Sequence, residues 1–311
     1  MRSPTFESHF PVRLAGCIAS RVLRGATTGR VAALFDSSFY VETAAGLICI
    51  GNAALEPGPL TLVTDAPAAT KWAASGLSRD AMVRIDRQAI VAGNRHRYAL
   101  TDTIEWSPAP ISGALNPDRI ESGIRMFRRI AAGRIPAEGL GQFLRSDFRP
   151  RCDDFVCRAA AGPVTALRHW LNSACREPDN RAMQGLRRVH PLIGLGPGLT
   201  PSGDDLIGGV MVALHSLREA AICRRLWSSV RDDAAQASNA ISLSHLSAAA
   251  EGKGGAALHR TLAAIVRADA ESMRDGVSGI GRMGHTSGWD AAAGAIMAFD
   301  CWLAGRLSVR N

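Results

Sequence analysis

A chain of 311 residues suggests two domains at roughly 100–200 residues each. With 47% apolar and 21% charged residues it has ordinary globular usage, which excludes a disordered chain. The formal charge of +8 invites a nucleic-acid reading, yet only Lys71 and Lys253 are lysine among 36 basic residues, and aromatics reach only 5%. No block of like charges occurs either, so nucleic acid is not an expected partner.

The surplus is local: residues 1–115 carry a net +2, residues 116–192 a net +6 and residues 193–311 none. The opening residues MRSPTFESHF lack the apolar stretch of a secretory signal, and no run of 18 uncharged apolar residues follows. No membrane partner is therefore expected. Seven scattered cysteines make the wrong pattern for a disulfide framework, so a reduced, cytoplasmic protein with free thiols is the expectation. Cys152 and Cys157 flank two aspartates, but a zinc site needs a second Cys/His pair at fixed spacing.

From Val12 to about Ile104 the chain reads as short β-type runs, RLAGCIASRVL through RYALTDTIEW, cut by Gly25, Gly46, Gly51-Asn52, Pro57-Gly58-Pro59 and Gly93-Asn94. One amphipathic helix is predicted around Ala66–Ala74. The tripeptide Pro108–Pro110 reads as a linker. Asn116-Pro117-Asp118 then starts a helix, with an N-capping side chain, proline at the first helical position and an acid in the first turn. Helices are predicted near 138–146, 155–175, 180–190, 204–226, 228–251, 255–275 and 287–305. The fold class is thus α+β: a barrel- or sandwich-like β-rich domain over 1–112, then an all-helical domain over 113–311.

Two loops of the helical part carry the chemistry. Gly194-Leu195-Gly196-Pro197-Gly198-Leu199-Thr200-Pro201-Ser202-Gly203-Asp204-Asp205 precedes the apolar run LIGGVMVAL. Its glycines allow positive φ and close backbone approach, and the following helix offers N–H groups to an anion. Ser202 followed by Asp205 fits a capping box, which would make the loop a plain helix start. Four polar side chains opening so apolar a helix are more than capping requires, and they favour a site.

Gly284-His285-Thr286-Ser287-Gly288-Trp289-Asp290 repeats that pattern: Ser202-Gly203-x-Asp205-x-x-x-Gly209 is echoed by Ser287-Gly288-x-Asp290-x-x-x-Gly294. The last glycine of each copy shares the acid's helix face, where it would permit close packing. The echo predicts that two helix N-termini converge, with Asp205 and Asp290 as paired carboxylates and His285 beside them. Between the loops, Ser238, Ser242 and His245 form one helical stripe with Asn239 adjacent, either a solvated face or the wall of a site. Phosphate-loop lysine, nucleophile-elbow and H-E-x-x-H patterns are absent.

The strings LIGLGPGLTPSGDDLIGG, SNAISLSHLSAAAEGKG and HTSGWDAAAG resemble the signature blocks of the AllH family, a subunit type of bacterial oxamate carbamoyltransferase in anaerobic allantoin breakdown. The resemblance is strong from Leu192 to Gly294 and weak in the β half. It implies purine catabolism, a hetero-oligomeric enzyme with other subunits as partners, and exchange of a carbamoyl group between carbamoyl phosphate and oxamate, giving oxalurate and phosphate. It assigns no catalytic residue.

On motif and spacing, Gly196, Gly198, Thr200, Ser202, Gly203 and Asp204, with Thr286, Ser287, Gly288, Asn239 and Ser242, are expected to bind a small anionic substrate. Asp205, Asp290 and His285 are expected to act in catalysis, and Asp204 with Asp205 to hold Mg²⁺ as the one candidate cofactor. The competing readings are a non-catalytic assembly subunit and a Mg²⁺-dependent nucleotide phosphotransferase.

Overall fold

The computed structural model describes residues 8–144, 154–177 and 183–307. The chain divides into two compact units, one ending at Ser107 and the other beginning at Pro108.

The first unit is a closed β-barrel. Its strands are β1 (Ser8–Gly16), β2 (Thr28–Leu34), β3 (Ser38–Thr43), β4 (Gly46–Gly51), β5 (Thr61–Thr64), β6 (Met82–Ile85), β7 (Ala89–Ala92), β8 (His96–Ala99) and β9 (Ile104–Trp106). They run in the order β5-β4-β3-β2-β6-β7-β8-β1-β9, and β1 also pairs antiparallel with β5, which closes eight strands into a ring. The ninth strand continues one edge: Ser8–Pro11 of β1 pair with β8 and Leu14–Gly16 with β9, both parallel. Closure removes the open sheet edges that would otherwise recruit another chain.

The barrel core is built by alternation. Val31, Phe39, Val41, Ile48, Ile50, Leu62, Val83, Ile90 and Tyr98 point inward. Trp72 stands edge-on to Phe39 and Tyr98, at 5.6 and 5.7 Å between ring centres, an arrangement the ring quadrupoles favour.

The sequence expectations need two corrections here. CIASRVLRG is not β: Cys17–Gly25 form helix α1, whose Ile18 and Ala19 N–H groups donate to the Pro59 carbonyl. Gly16 makes that contact possible, since a Cβ there would stand 2.0 Å from the Gly58 oxygen. The helix expected near Ala66–Ala74 shrinks to the single 3-10 turn Trp72–Ala74.

The second unit is helical: α2 (Pro117–Ala131), α3 (Phe155–Arg176), α4 (Ser202–Ser216), α5 (Ala220–Ala237), α6 (Ala240–Ala250), α7 (Ala256–Arg267), α8 (Ala270–Ile280) and α9 (Ser287–Leu307). The predicted start of α2 is realised, with the Asn116 side chain accepting from Arg119 N at 3.0 Å. Three predicted helices are each cut in two, at Arg218, at Ser238-Asn239 and at Ala268. Arg218 and Ala268 take positive φ (64° and 52°), a conformation their side chains do not advertise. Cys17, Cys49, Cys175, Cys223 and Cys301 are free thiols as expected, whereas Cys157 is disulfide-bonded, which corrects the free-thiol reading there. Cys152 and Asp153 lie outside the described residues.

At the centre, α4 and α9 are buried over most of their length and pack with glycine in the seam. A Cβ on Gly209 would stand 1.9 Å from the Ala291 carbonyl oxygen, and a Cβ on Gly294 would stand 1.9 Å from that of Leu206. Each glycine of the repeat thus meets the residue after the other copy's aspartate, so the two halves are related by a local pseudo-twofold. No helix among the described residues is long and apolar enough to cross a membrane.

Candidate functional site

The pseudo-twofold brings the first turns of α4 and α9 together. The Thr200 and Ser287 hydroxyls meet at 2.9 Å, and Asp205 lies close enough to Asp290 for the two charges to interact. The two helix starts therefore converge, with the two aspartates near one another.

Asp290 is fully buried. Its Oδ1 accepts from Leu140 N at 2.6 Å and from Gly141 N at 3.2 Å, at the start of the 3-10 segment Leu140–Leu144, while its Oδ2 is shielded from solvent and without a hydrogen-bond partner. Burial pushes its carboxyl up to about 6, against the nearby Ser202 and Thr286 hydroxyls and the two amides that favour the charged form. Asp205 is half-buried, with its Oδ2 likewise shielded and unpartnered. Burial first, and then the Asp290 charge, hold its carboxyl well above the usual range. Two carboxyls in such a setting cannot both ionise easily, and burial together with the Asp290 charge pushes Asp205 upward.

Asp204 does something else. Its Oδ1 accepts from Gly194 N at 2.8 Å, and its Oδ2 from the Ser238 and Ser242 hydroxyls at 2.5 and 2.6 Å. This adjacent acid ties the glycine loop to the α5–α6 junction. Both Asp204 oxygens thus accept from protein donors. Among the described residues no group of three His, Cys, Asp or Glu side chains is placed to hold a metal ion.

Other expected ligand contacts are internal as well. Asn239 caps α6 through Ile241 N and Ser242 N and donates to the Leu199 carbonyl at 2.9 Å. Ser242 is spent on Asp204, and Ser238 ends α5 before the helix bearing Ser242 begins. The predicted stripe is therefore neither a solvated face nor a continuous helical wall. His245 is half-buried, and its desolvation lowers it to about 4.

Gly203 and Gly288 face backbone, with Cβ positions 1.9 Å from the Leu192 oxygen and 2.2 Å from the Ile280 oxygen. They serve packing, as the glycines of the seam do. Gly196 (φ 117°) folds the loop back on Ser202, while Gly198 (φ 91°) faces open space beside exposed Pro197 and Leu199. The capping box is not formed either: Pro201 is the N-cap of α4, and Ser202 is already helical. Ser202, Thr286, Thr200 and Ser287 are the hydroxyls that surround the carboxyl pair.

His285 is set apart. Its ring is exposed and its Nε2 meets Glu138 Oε2 at 2.6 Å, so its side chain is held at the surface rather than against the pair. The residues missed by sequence reasoning are Glu138–Gly141. Gly139 takes φ +76°, and a Cβ on it would stand 2.8 Å from Asp290 Oδ1. The string EGLG hinted at a turn, but its distance of 150 residues from Asp290 hid its purpose.

The N–H groups of these helix starts are largely spent. Gly203 N donates to Leu195 O, Asp205 N to Pro201 O, Gly288 N to Met283 O, and Trp289 N and Asp290 N to Thr286 O. Five helix-start amides are thus committed, while Asp205 Oδ2 and Asp290 Oδ2 are left without a hydrogen-bond partner.

A family model described as oxamate carbamoyltransferase subunit AllH matches residues 192–299. The match runs from the loop before α4 well into α9, so the resemblance carried by the two glycine-rich blocks is borne out over that stretch. Comparison with curated proteins and with solved structures returned no match.

Proposed function

From a helical region of AllH type, spanning residues 192–299, we propose that this chain is a subunit of a carbamoyltransferase acting on carbamoyl phosphate and oxamate, and that the convergent starts of α4 and α9 form its ligand site. The observation that carries the siting is the pair of shielded carboxylate oxygens, Asp205 Oδ2 and Asp290 Oδ2, left without partners where two repeat-related helices meet. A buried acceptor without a donor costs about 1–3 kcal/mol, an expense that binding a ligand would remove.

The chemistry fits a carboxyl pair with separated proton affinities. The oxamate nitrogen attacks the carbamoyl carbon, the carbon–oxygen bond to phosphate breaks, phosphate leaves, and the nitrogen gives up one proton as oxalurate forms. Asp290, at about 6, is a base poised close to neutral pH. Asp205, whose carboxyl is held well above the usual range, is the group to return a proton in the reverse direction. Partner subunits would supply the groups that receive the phosphate, since a carboxyl pair repels an anion.

The test is turnover of the complex reconstituted with its partner subunits, measured for the wild type and for Asp205→Asn and Asp290→Asn. The expected result is a loss of about 100-fold or more in kcat for each variant, the scale of a lost proton-transfer group. Turnover unchanged in both variants overturns the siting. A complex with no carbamoyl transfer to oxamate under any condition overturns the activity.

A further inference from the structure

We propose that the Asp205–Asp290 pair grips a primary amide or carbamoyl nitrogen, an N–H₂ group, and not the anionic end of the ligand. This deepens the carbamoyltransferase reading, on which the choice of ligands rests, by saying which end of them the pair takes. Glycine loops at helix starts ordinarily suggest anion binding through free N–H groups. Here five of those amides are already committed: Gly203, Asp205, Gly288, Trp289 and Asp290 N–H all donate to protein carbonyls. Leu140 N and Gly141 N are committed to Asp290 Oδ1.

What remains is acceptor capacity. Asp290 is fully buried, and its Oδ2 and that of Asp205 have no hydrogen-bond partner. The Thr200 and Ser287 hydroxyls spend one of their two protons on each other, and both also lie within reach of the Asp205 carboxyl. A proton on one carboxyl removes their repulsion and still leaves lone pairs on both. A phosphate or carboxylate placed there would add acceptors and negative charge to a site already holding both. An amide N–H₂ brings two donors, no charge and no strong acceptor at nitrogen, one proton for each carboxyl. A divalent cation is the other group that carboxylates hold, but a third protein ligand is missing among the described residues.

The test compares isosteres that differ only at that nitrogen. Calorimetry and saturation-transfer NMR on the full chain, and on the chain in its assembled complex, would measure oxamate against oxalate and against inorganic phosphate. Acetamide against acetate repeats the comparison with ligands no carbamoyltransferase requires. The expected result is at least tenfold tighter binding of the amide in each pair, with the preference lost in Asp205→Asn, whose new amide presents protons where an acceptor stood. Asp290→Asn is the second variant, with folding checked by circular dichroism.

Equal or tighter binding of oxalate or phosphate overturns the proposal, and so does absence of amide binding to both chain and complex. Mg²⁺ alone binding stoichiometrically, and lost in Asp205→Asn, overturns it in favour of a cation site. Amide preference without carbamoyl transfer would leave this proposal standing while the reading of the activity fails; transfer without amide preference does the reverse.

Discussion

Gly209 and Ala291 touch backbone to backbone: a Cβ on the glycine would fall 1.9 Å from the Ala291 carbonyl oxygen, and Gly294 stands in the same relation to Leu206. Each contact lies one turn beyond an aspartate of the carboxyl pair. The distance between Asp205 and Asp290 is thus set by glycines that carry no chemistry themselves.

Gly209→Ala and Gly294→Ala should each force α4 and α9 apart, because the obstacle is rigid backbone. A cost of about 2–4 kcal/mol is expected for either, in the range of overpacked core substitutions and above. Denaturant melts of the single and double variants check this. Since both substitutions load the same seam, the double variant should cost less than the sum of the singles.

Asp204→Ala should destabilise by about 2–4 kcal/mol by stranding the Gly194 N–H and two serine hydroxyls. Asp204→Asn should cost clearly less, because the Ser238 and Ser242 hydroxyls can turn to accept. If Asp204 is a brace, turnover per folded molecule changes far less in Asp204→Asn than in Asp205→Asn. Activity normalised to folded fraction decides it.

The carboxyl pair should leave a mark on stability against pH. Asp290 rises from 3.8 in a free chain to about 6 when folded, so its contribution is present in full below the lower value and is lost as pH rises through the upper one. Asp205, also raised, extends that loss to higher pH. His245 and His259, both lowered to about 4 by burial, slope the other way: their contribution is present above 6.5 and lost as pH falls toward 4. The expectation is therefore on a difference. Unfolding free energies of the wild type minus Asp290→Asn should fall by on the order of 2 kcal/mol between pH 4 and pH 7, with the histidine terms cancelling. A flat difference removes the raised carboxyl.

His285→Gln should leave folding stability within about 0.5 kcal/mol, as expected of an exposed ion pair. Turnover of the reconstituted complex should stay within about threefold of wild type. A loss of 100-fold would return the ring to the catalytic centre.

Much of this is legible in the amino-acid sequence. Alternation and turn residues mark the β half, and the Asn116-Pro117-Asp118 start of α2 reads directly, because both signals are local. The repeat of Ser-Gly-x-Asp-x-x-x-Gly was legible too, since one packing solution used twice imposes the same small residues at the same spacing. Closure of eight strands into a barrel was not, because β1 meets β5, β8 and β9 through pairings that no neighbouring residue announces.

The sequence by itself determined that two acid-bearing helix starts are built alike. Only the tertiary structure decided that Asp204 braces a loop while Asp205 faces Asp290, that His285 turns to Glu138, and that Leu140 and Gly141 supply the amides. Adjacent residues on a helix point about 100° apart, so neighbours in sequence meet different surroundings. Whether an aspartate is a brace or an unpartnered carboxyl depends on which distant donors the fold delivers to it.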